Sequence, residues 1–194
     1  YKNLEPEYVA VSGDKAFVTL QENNAIAIID LNSNTVDTVV DLGTHVVTID
    51  GSDKNGLAID DIVKGMVMPD SIEVVEIGGK TYVVVASEGD ARGDDADIDR
   101  AESFLPNPGS GAAGDLNEDG IDDDFASNNP NGLTTDLGES SGIGRLDILL
   151  AESDTDNDGD IDDIVTLSDR GVTIYEYVGG TLVEADHLEG IEAY

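Results

Sequence analysis

The chain has no cysteine, only two histidines, and only 9 lysines and arginines among 194 residues. Without cysteine, no disulfide and no thiolate metal site can form. The 9 basic residues face 43 acidic ones, a formal net charge of -34. Such a chain lacks the cations that phosphate binding needs, which argues against nucleic acid and anionic membrane surfaces as partners. No apolar run approaches the roughly 20 residues of a membrane helix. His45 and His187 are far apart in sequence and neither has His or Cys at ligand spacing, so no zinc site is expected. A Ser-His-Asp triad is recognised by geometry and stays open, although no Gly-x-Ser-x-Gly elbow and no phosphate-binding P-loop occur. Aromatic residues make up 5%, which leaves few stacking platforms for a glycan. No signal peptide is visible. The chain opens at Tyr1-Lys-Asn-Leu with sequence of folded-domain character, and the expectation is a processed or incomplete N-terminus.

What the chain has in excess is carboxylate. Self-repulsion on this scale is relieved by salt or by bound divalent ions. A solvated acidic surface would account for the charge as a whole, but not for two loops of defined spacing. In Asp154-Thr-Asp156-Asn-Asp158-Gly159-Asp160-Ile-Asp162, acidic residues occupy positions 1, 3 and 5, glycine position 6 and an acid position 9. A hard cation such as calcium takes six to eight oxygens, and alternate side chains in a tight loop converge on one point. Asp154, Asp156, Asp158 and Asp162 are the expected side-chain ligands, with the Asp160 carbonyl. A second copy offers Asp115, Asn117, Asp119 and Asp123, with the Ile121 carbonyl. Position 12 is Val165 in one loop and Ala126 in the other where an EF-hand carries Glu, so neither is a true EF-hand. Asp94, Asp95, Asp97 and Asp99 extend the acidic run without a glycine turn. Arg92-Gly93-Asp94 spells an integrin-type tripeptide, read here as ordinary loop composition.

The remainder is rich in β signal. Hydrophobic residues make up 39%, with Val and Ile in short clusters, which argues against disorder throughout. Glu7–Val11, Lys15–Leu20, Ala25–Asp30 and Thr35–Val40 are short and β-rich, with Ser12-Gly-Asp, Glu22-Asn-Asn and Asn32-Ser-Asn as turns. Four strands in about forty residues match one β-propeller blade, although a sandwich shows similar strands. The pattern restarts at Pro69–Ile77 and Lys80–Ser87, giving a weak internal repeat of Pro6-Glu-Tyr-Val against Pro69-Asp-Ser-Ile. Residues 88–142 form a long acidic insertion. Strand signals resume at Gly144–Leu150, Asp163–Leu167, Val172–Tyr177 and Thr181–Glu184, so the downstream loop is expected to clip a hairpin. Asp60–Lys64 is the one stretch read as a possible helical turn. The expected organisation is all-β, with propeller-type antiparallel blades over 4–43 and 68–167 and a partial blade over 168–194. That is too few strands to close a ring of four to eight blades.

Leu4-Glu-Pro-Glu-Tyr-Val-Ala-Val, Thr19-Leu-Gln-Glu-Asn-Asn-Ala-Ile-Ala, Met68-Pro-Asp-Ser-Ile, Ser87-Glu-Gly-Asp-Ala-Arg92 and Gly144-Arg-Leu together resemble the choice-of-anchor I family. The resemblance covers most of the chain. It implies a β-propeller and an extracellular or cell-surface setting, with some members labelled alkaline-phosphatase-like or phytase/esterase-like. The expected function is a secreted calcium-binding protein with a structural, adhesion or assembly role, in which open sheet edges self-associate or meet other chains. The alternative is a calcium-dependent phosphoesterase. For that reading, Glu88, Asp90 and Arg92 stand at a strand end where an acid pair and a guanidinium could serve a metal and a phosphate oxygen.

Overall fold

A computed structural model describes residues 4–54, 56–91, 97–104, 142–157 and 161–189. The fold is all-β. β1 (Pro6–Ser12), β2 (Lys15–Leu20), β3 (Ala25–Asp30) and β4 (Thr35–Asp41) form an antiparallel meander in that order. β7 (Pro69–Ile77) and β8 (Lys80–Ser87) join β12 (Val172–Val178) and β13 (Thr181–Leu188) in a second four-stranded sheet, ordered β13-β12-β8-β7. The third sheet is mixed, ordered β5-β6-β11-β10-β9. Its strands are β5 (Thr44–Ile49), β6 (Asp61–Met66), β9 (Ile98–Arg100), β10 (Asp147–Leu149) and β11 (Val165–Thr166). One short helix, α1 (Leu150–Ser153), follows β10. Among the described residues no helix is long and apolar enough to cross a membrane.

Local chemistry explains the tight hairpins. Ile77 pairs with Lys80 and Val178 with Thr181, leaving Gly78-Gly79 and Gly179-Gly180 as two-residue loops. All four glycines have positive φ, which a type I′ hairpin demands of both central residues and which side chains resist. The repeat seen in sequence is structural as well. β1 and β7 each begin at a proline, open a four-stranded sheet, and carry a register shift just after that proline. Proline fits there because a strand's first residue need not donate to the ladder.

Two larger apolar clusters hold the sheets, and a smaller third gathers Leu20, Ala25 and Ala27 within the first sheet. Phe17, Ile26 and Ile28 of the first sheet pack with Val83, Val85, Tyr175 and Leu182 of the second, and Leu42 and Val67 join them. Phe17 meets Tyr177 edge-on, with ring centroids 5.3 Å apart. Val47, Ile49 and Val63 of the third sheet pack with Ile143, Ile148, Ile161 and Ile164. Each such side chain removed from water contributes roughly 1.5–3 kcal/mol before entropy is counted.

The structure departs from expectation in three places. Asp61–Met66 is strand β6, with burial alternating at a period of two, and not a helical turn. Thr44–Ile49, which carried no strand reading, is β5. The described strands close neither a barrel nor a propeller ring, in keeping with the strand count, but two of their three sheets are not up-and-down blades. The pairing cuts across chain order, because β12 hydrogen-bonds to β8 from Val172↔Ala86 to Glu176↔Tyr82. The third sheet also contains a parallel pair, Val165↔Lys64 and Thr166↔Gly65, which an up-and-down blade lacks. The expected hairpin about the downstream loop is present as Ile148↔Thr166 between β10 and β11.

Candidate functional site

Three of the sequence strings that carry the family resemblance, those containing Gln21 and Asn24, Met68, and Glu88, meet at one junction between the sheets. After β2 the chain makes a 3₁₀ turn over Gln21–Asn23, ended by Asn24 in the left-handed region at φ 50°, a conformation asparagine tolerates better than most residues. Gln21 and Asn24 are buried, so their amides must find partners within the protein. Gln21 Nε2 donates to the Glu88 carbonyl at 2.8 Å. Asn24 Oδ1 accepts the Met68 N–H at 2.8 Å, and its Nδ2 donates to the Gly43 carbonyl at 2.7 Å. The Glu88 N–H donates to the Met68 carbonyl at 3.2 Å. Three distant segments are thus cross-linked by two neutral side chains.

Two cavities open beside this junction. A small one of about 70 Å³ is lined by four carboxylates, Glu22, Asp90, Asp97 and Glu152, together with Asn23. Burial raises the Glu22 carboxyl above its ordinary value, and the charges of Glu5, Glu7 and Asp90 push the same way. A larger cavity of about 400 Å³ is lined by Glu88, Asp147, Ser87, Ser168, Arg145 and Arg170 among others. The Arg145 Nε and Nη2 donate to Asp53 at 2.7 and 3.2 Å, and this guanidinium holds the Asp53 carboxyl below its usual range. Glu88 and Asp90, proposed from sequence as one site, therefore line different cavities. Arg92 lies outside the described residues.

The downstream loop rises from a buried base. Ser153 is fully buried; its carbonyl accepts the Asp162 and Asp163 N–H groups at 2.8 and 3.0 Å, and its Oγ accepts the Val165 N–H at 3.2 Å. Ile161 and Ile164 enter the apolar cluster, and Lys64 of β6 pairs with Asp163. With its base fixed, the loop turns at Asn157, φ 62°. Asp154, Asp156 and Asp162 each place a carboxylate oxygen within 4.8 Å of the other two. Asp162 Oδ2 also accepts the Thr155 N–H and hydroxyl, both at 2.6 Å. Positions 1, 3 and 9 of the loop thus converge closely enough that one hard cation could be held among them. Asp158 and Asp160 fall outside the described residues. So does the whole upstream set: Asp115, Asn117, Asp119, Ile121 and Asp123.

One cluster had no sequence signal. His45 on β5 and His187 on β13 stack with centroids 3.8 Å apart and planes 19° apart. His45 Nδ1 lies 2.6 Å from Asp169 Oδ2, and its Nε2 lies 3.0 Å from Glu184 Oε2. His45 and Asp169 are 124 residues apart, beyond the reach of any local pattern. Stacked rings direct their lone pairs in near-parallel planes, and the two His45 nitrogens face different carboxylates. His45, Asp169 and His187 offer ligand atoms within 4.8 Å of one another, and with both His45 nitrogens facing carboxylates the arrangement suits the sharing of protons.

Three open sheets, with carboxylates gathered in a stapled loop and in a cavity at the sheet junction, define an all-β protein whose polar sites sit at strand ends. The choice-of-anchor I domain matches residues 1–185, and the chain belongs to that family, a family of secreted and cell-surface proteins. No curated protein and no solved structure matches the chain.

Proposed function

We propose that this chain is an extracellular calcium-binding module with a structural, adhesion or assembly role. The observation that carries the reading is the convergence of Asp154, Asp156 and Asp162 above the Ser153 staple. Clustered carboxylates repel, and a dication among them turns repulsion into a cross-link, so that binding and folding are coupled. Ligands at positions 1, 3 and 9 enclose the ion from both ends of the loop, which would tie β10 to β11. The assembly role is supported by the edge strands. β1, β4 and β13 each leave apolar side chains in solvent, Val9 at 62%, Val36 at 59% and Leu188 at 60% exposed. β1 lies against β7, so it is the exposed apolar side chains, and not free strand edges, that favour a further chain. Melting the protein with calcium and then with chelator tests the reading. At a hundredfold excess over Kd, binding contributes about 2.7 kcal/mol, on the order of 5–10 °C for a domain of this size. Equal melting points in both conditions would overturn it.

A second reading is a calcium-dependent phosphoesterase. It is favoured by the adjacency of the two cavities, one lined by carboxylates and the next carrying Arg145 and Arg170, with Glu88 and Asp90 on the segment between them. A cation in the first and a phosphate oxygen at a guanidinium of the second would make a hydrolytic pair. Turnover of a chromogenic phosphate ester that needs calcium and is lost in Asp90→Asn would support the enzyme. Its absence leaves the structural reading.

A further inference from the structure

His45 is placed where two sheets meet. β5 is an edge strand of the third sheet, and β13, which carries Glu184 and His187, is an edge strand of the second. No ladder pairing joins β5 to β13 among the described residues. The link between them is made by side chains. His45 is mostly buried, with 15% of its side chain exposed, and the Asp169 carboxylate is wholly buried. Asp169 is held in place from three directions. Its N–H donates to the Met66 carbonyl at 2.7 Å, its Oδ1 accepts the Gly171 N–H at 3.1 Å, and its Oδ2 faces His45.

A wholly buried carboxylate in a chain of net charge -34 is costly unless a cation stands beside it. Among the described residues the His45 ring lies within hydrogen-bond reach, with His187 Nδ1 further off at 3.9 Å from the same oxygen, and both His45 nitrogens already face carboxylate oxygens. A neutral imidazole donates from one nitrogen only, whereas an imidazolium donates from both. The geometry therefore calls for the charged ring. We propose that His45 is a proton-held clasp between the two sheets, closed while the ring carries both protons and released when the medium turns alkaline enough to remove one.

The groups facing the ring are few. Asp169 lies on the β11–β12 turn, and Glu184 and His187 lie on β13. From β12, the Thr173 hydroxyl meets His187 Nδ1 at 3.1 Å. Tyr175, also on β12, is buried, and its phenol is pushed up by desolvation and then by the charges of Glu184, Asp169 and Asp41. His45 is the group among these whose two ring nitrogens both lie within hydrogen-bond distance of carboxylates. The hydrogen bond to Asp169 is the largest influence raising its pKa, from 6.5 to about 9; burial opposes this, and Glu184 adds to it. The folded pKa lies above the unfolded one. The stabilisation is thus full below about 6.5 and is lost as pH rises through about 9. A shift of this size corresponds to on the order of a hundredfold in the folding equilibrium.

The test is a ¹³C-imidazole titration of the folded protein by NMR, with His45 and His187 assigned by single substitution. His45 is expected to titrate near 9 in the wild type, near 6.5 in Asp169→Asn, and between the two in Glu184→Gln. Denaturant unfolding between pH 6 and 10 gives the second arm: the wild type loses stability through this window and His45→Gln loses far less. A His45 that titrates at or below 6.5 in the folded wild type, or wild-type and His45→Gln stabilities that fall in parallel, overturns the clasp. The wild-type titration decides the question even where a variant fails to fold.

Discussion

Asn24 Oδ1 accepts the backbone N–H of Met68 at 2.8 Å, across 44 residues of sequence. Through this one bond the turn after β2 is tied to the strand that opens the second sheet. The amide's other end holds the Gly43 carbonyl, so a single side chain sets the approach of the first sheet, the start of β5 and the start of β7. Met68 itself sits at φ 43°, an unfavourable conformation for a long side chain, which this N–H bond helps hold.

Asn24→Ala removes both partners at a buried site and places alanine at φ 50°. Leaving a buried donor and acceptor unpaired costs about 1–3 kcal/mol, and the left-handed backbone about 1 kcal/mol more. Denaturant unfolding should show a loss of roughly 2–4 kcal/mol. A loss under about 0.5 kcal/mol would mean that the Asn24 bonds do not hold the junction.

Gly65 lies beneath the β11–β12 turn. A Cβ there would stand 2.5 Å from the Asp169 Cα and the Ser168 carbonyl oxygen, both backbone atoms. Gly65 also pairs with His45 across β5 and β6, so the missing side chain is what lets Asp169 reach that histidine. Gly65→Ala should cost about 3 kcal/mol by overpacking and lower the His45 pKa. Gly78→Ala meets open space and only a positive φ of 61°, and should cost about 1 kcal/mol. Comparing the two by thermal melting separates steric clash from backbone strain.

Glu22 is held above the ordinary carboxylate range chiefly by burial. A raised carboxyl is more comfortable protonated, so its contribution favours the fold at low pH and is lost as pH rises through the folded pKa. Glu22→Gln should therefore raise the melting temperature at neutral pH in chelator. If the small cavity takes a cation, the same substitution should lower it in millimolar calcium. A variant less stable than wild type in chelator as well would show that charge is not what is unfavourable there.

Much of the first two sheets was legible in sequence. In β2, β3, β8 and β12 the apolar residues fall into short runs bounded by turn residues, and the glycine pairs mark hairpin ends that the structure reproduces. The third sheet was not. β6 reads Asp-Ile-Val-Lys-Gly-Met, with a charged residue at two positions and a glycine at another, and its partner β11 stands about a hundred residues further on. Local pattern cannot encode a parallel pairing across such a gap, nor the clearance that Gly65 provides. The same limit hid the histidine cluster, since spacing along the chain carries no information about His45, Asp169 and His187. The convergence of Asp154, Asp156 and Asp162 was legible because they are neighbours along one short loop. Ser153, which anchors that loop, was missed because a lone buried serine has no signature until its partners are placed.

The most direct measurement is calorimetric titration of calcium into the wild-type chain and into an Asp154→Asn, Asp156→Asn double variant. Asp→Asn keeps the side-chain size at both positions, and the Ser153 contacts and the isoleucines that anchor the loop are left unaltered. Calcium binding is predicted in the wild type, and in the double variant the affinity of this loop should weaken by more than about tenfold. Identical isotherms for the two proteins, or no calcium uptake by either, would contradict the assignment of this loop to calcium.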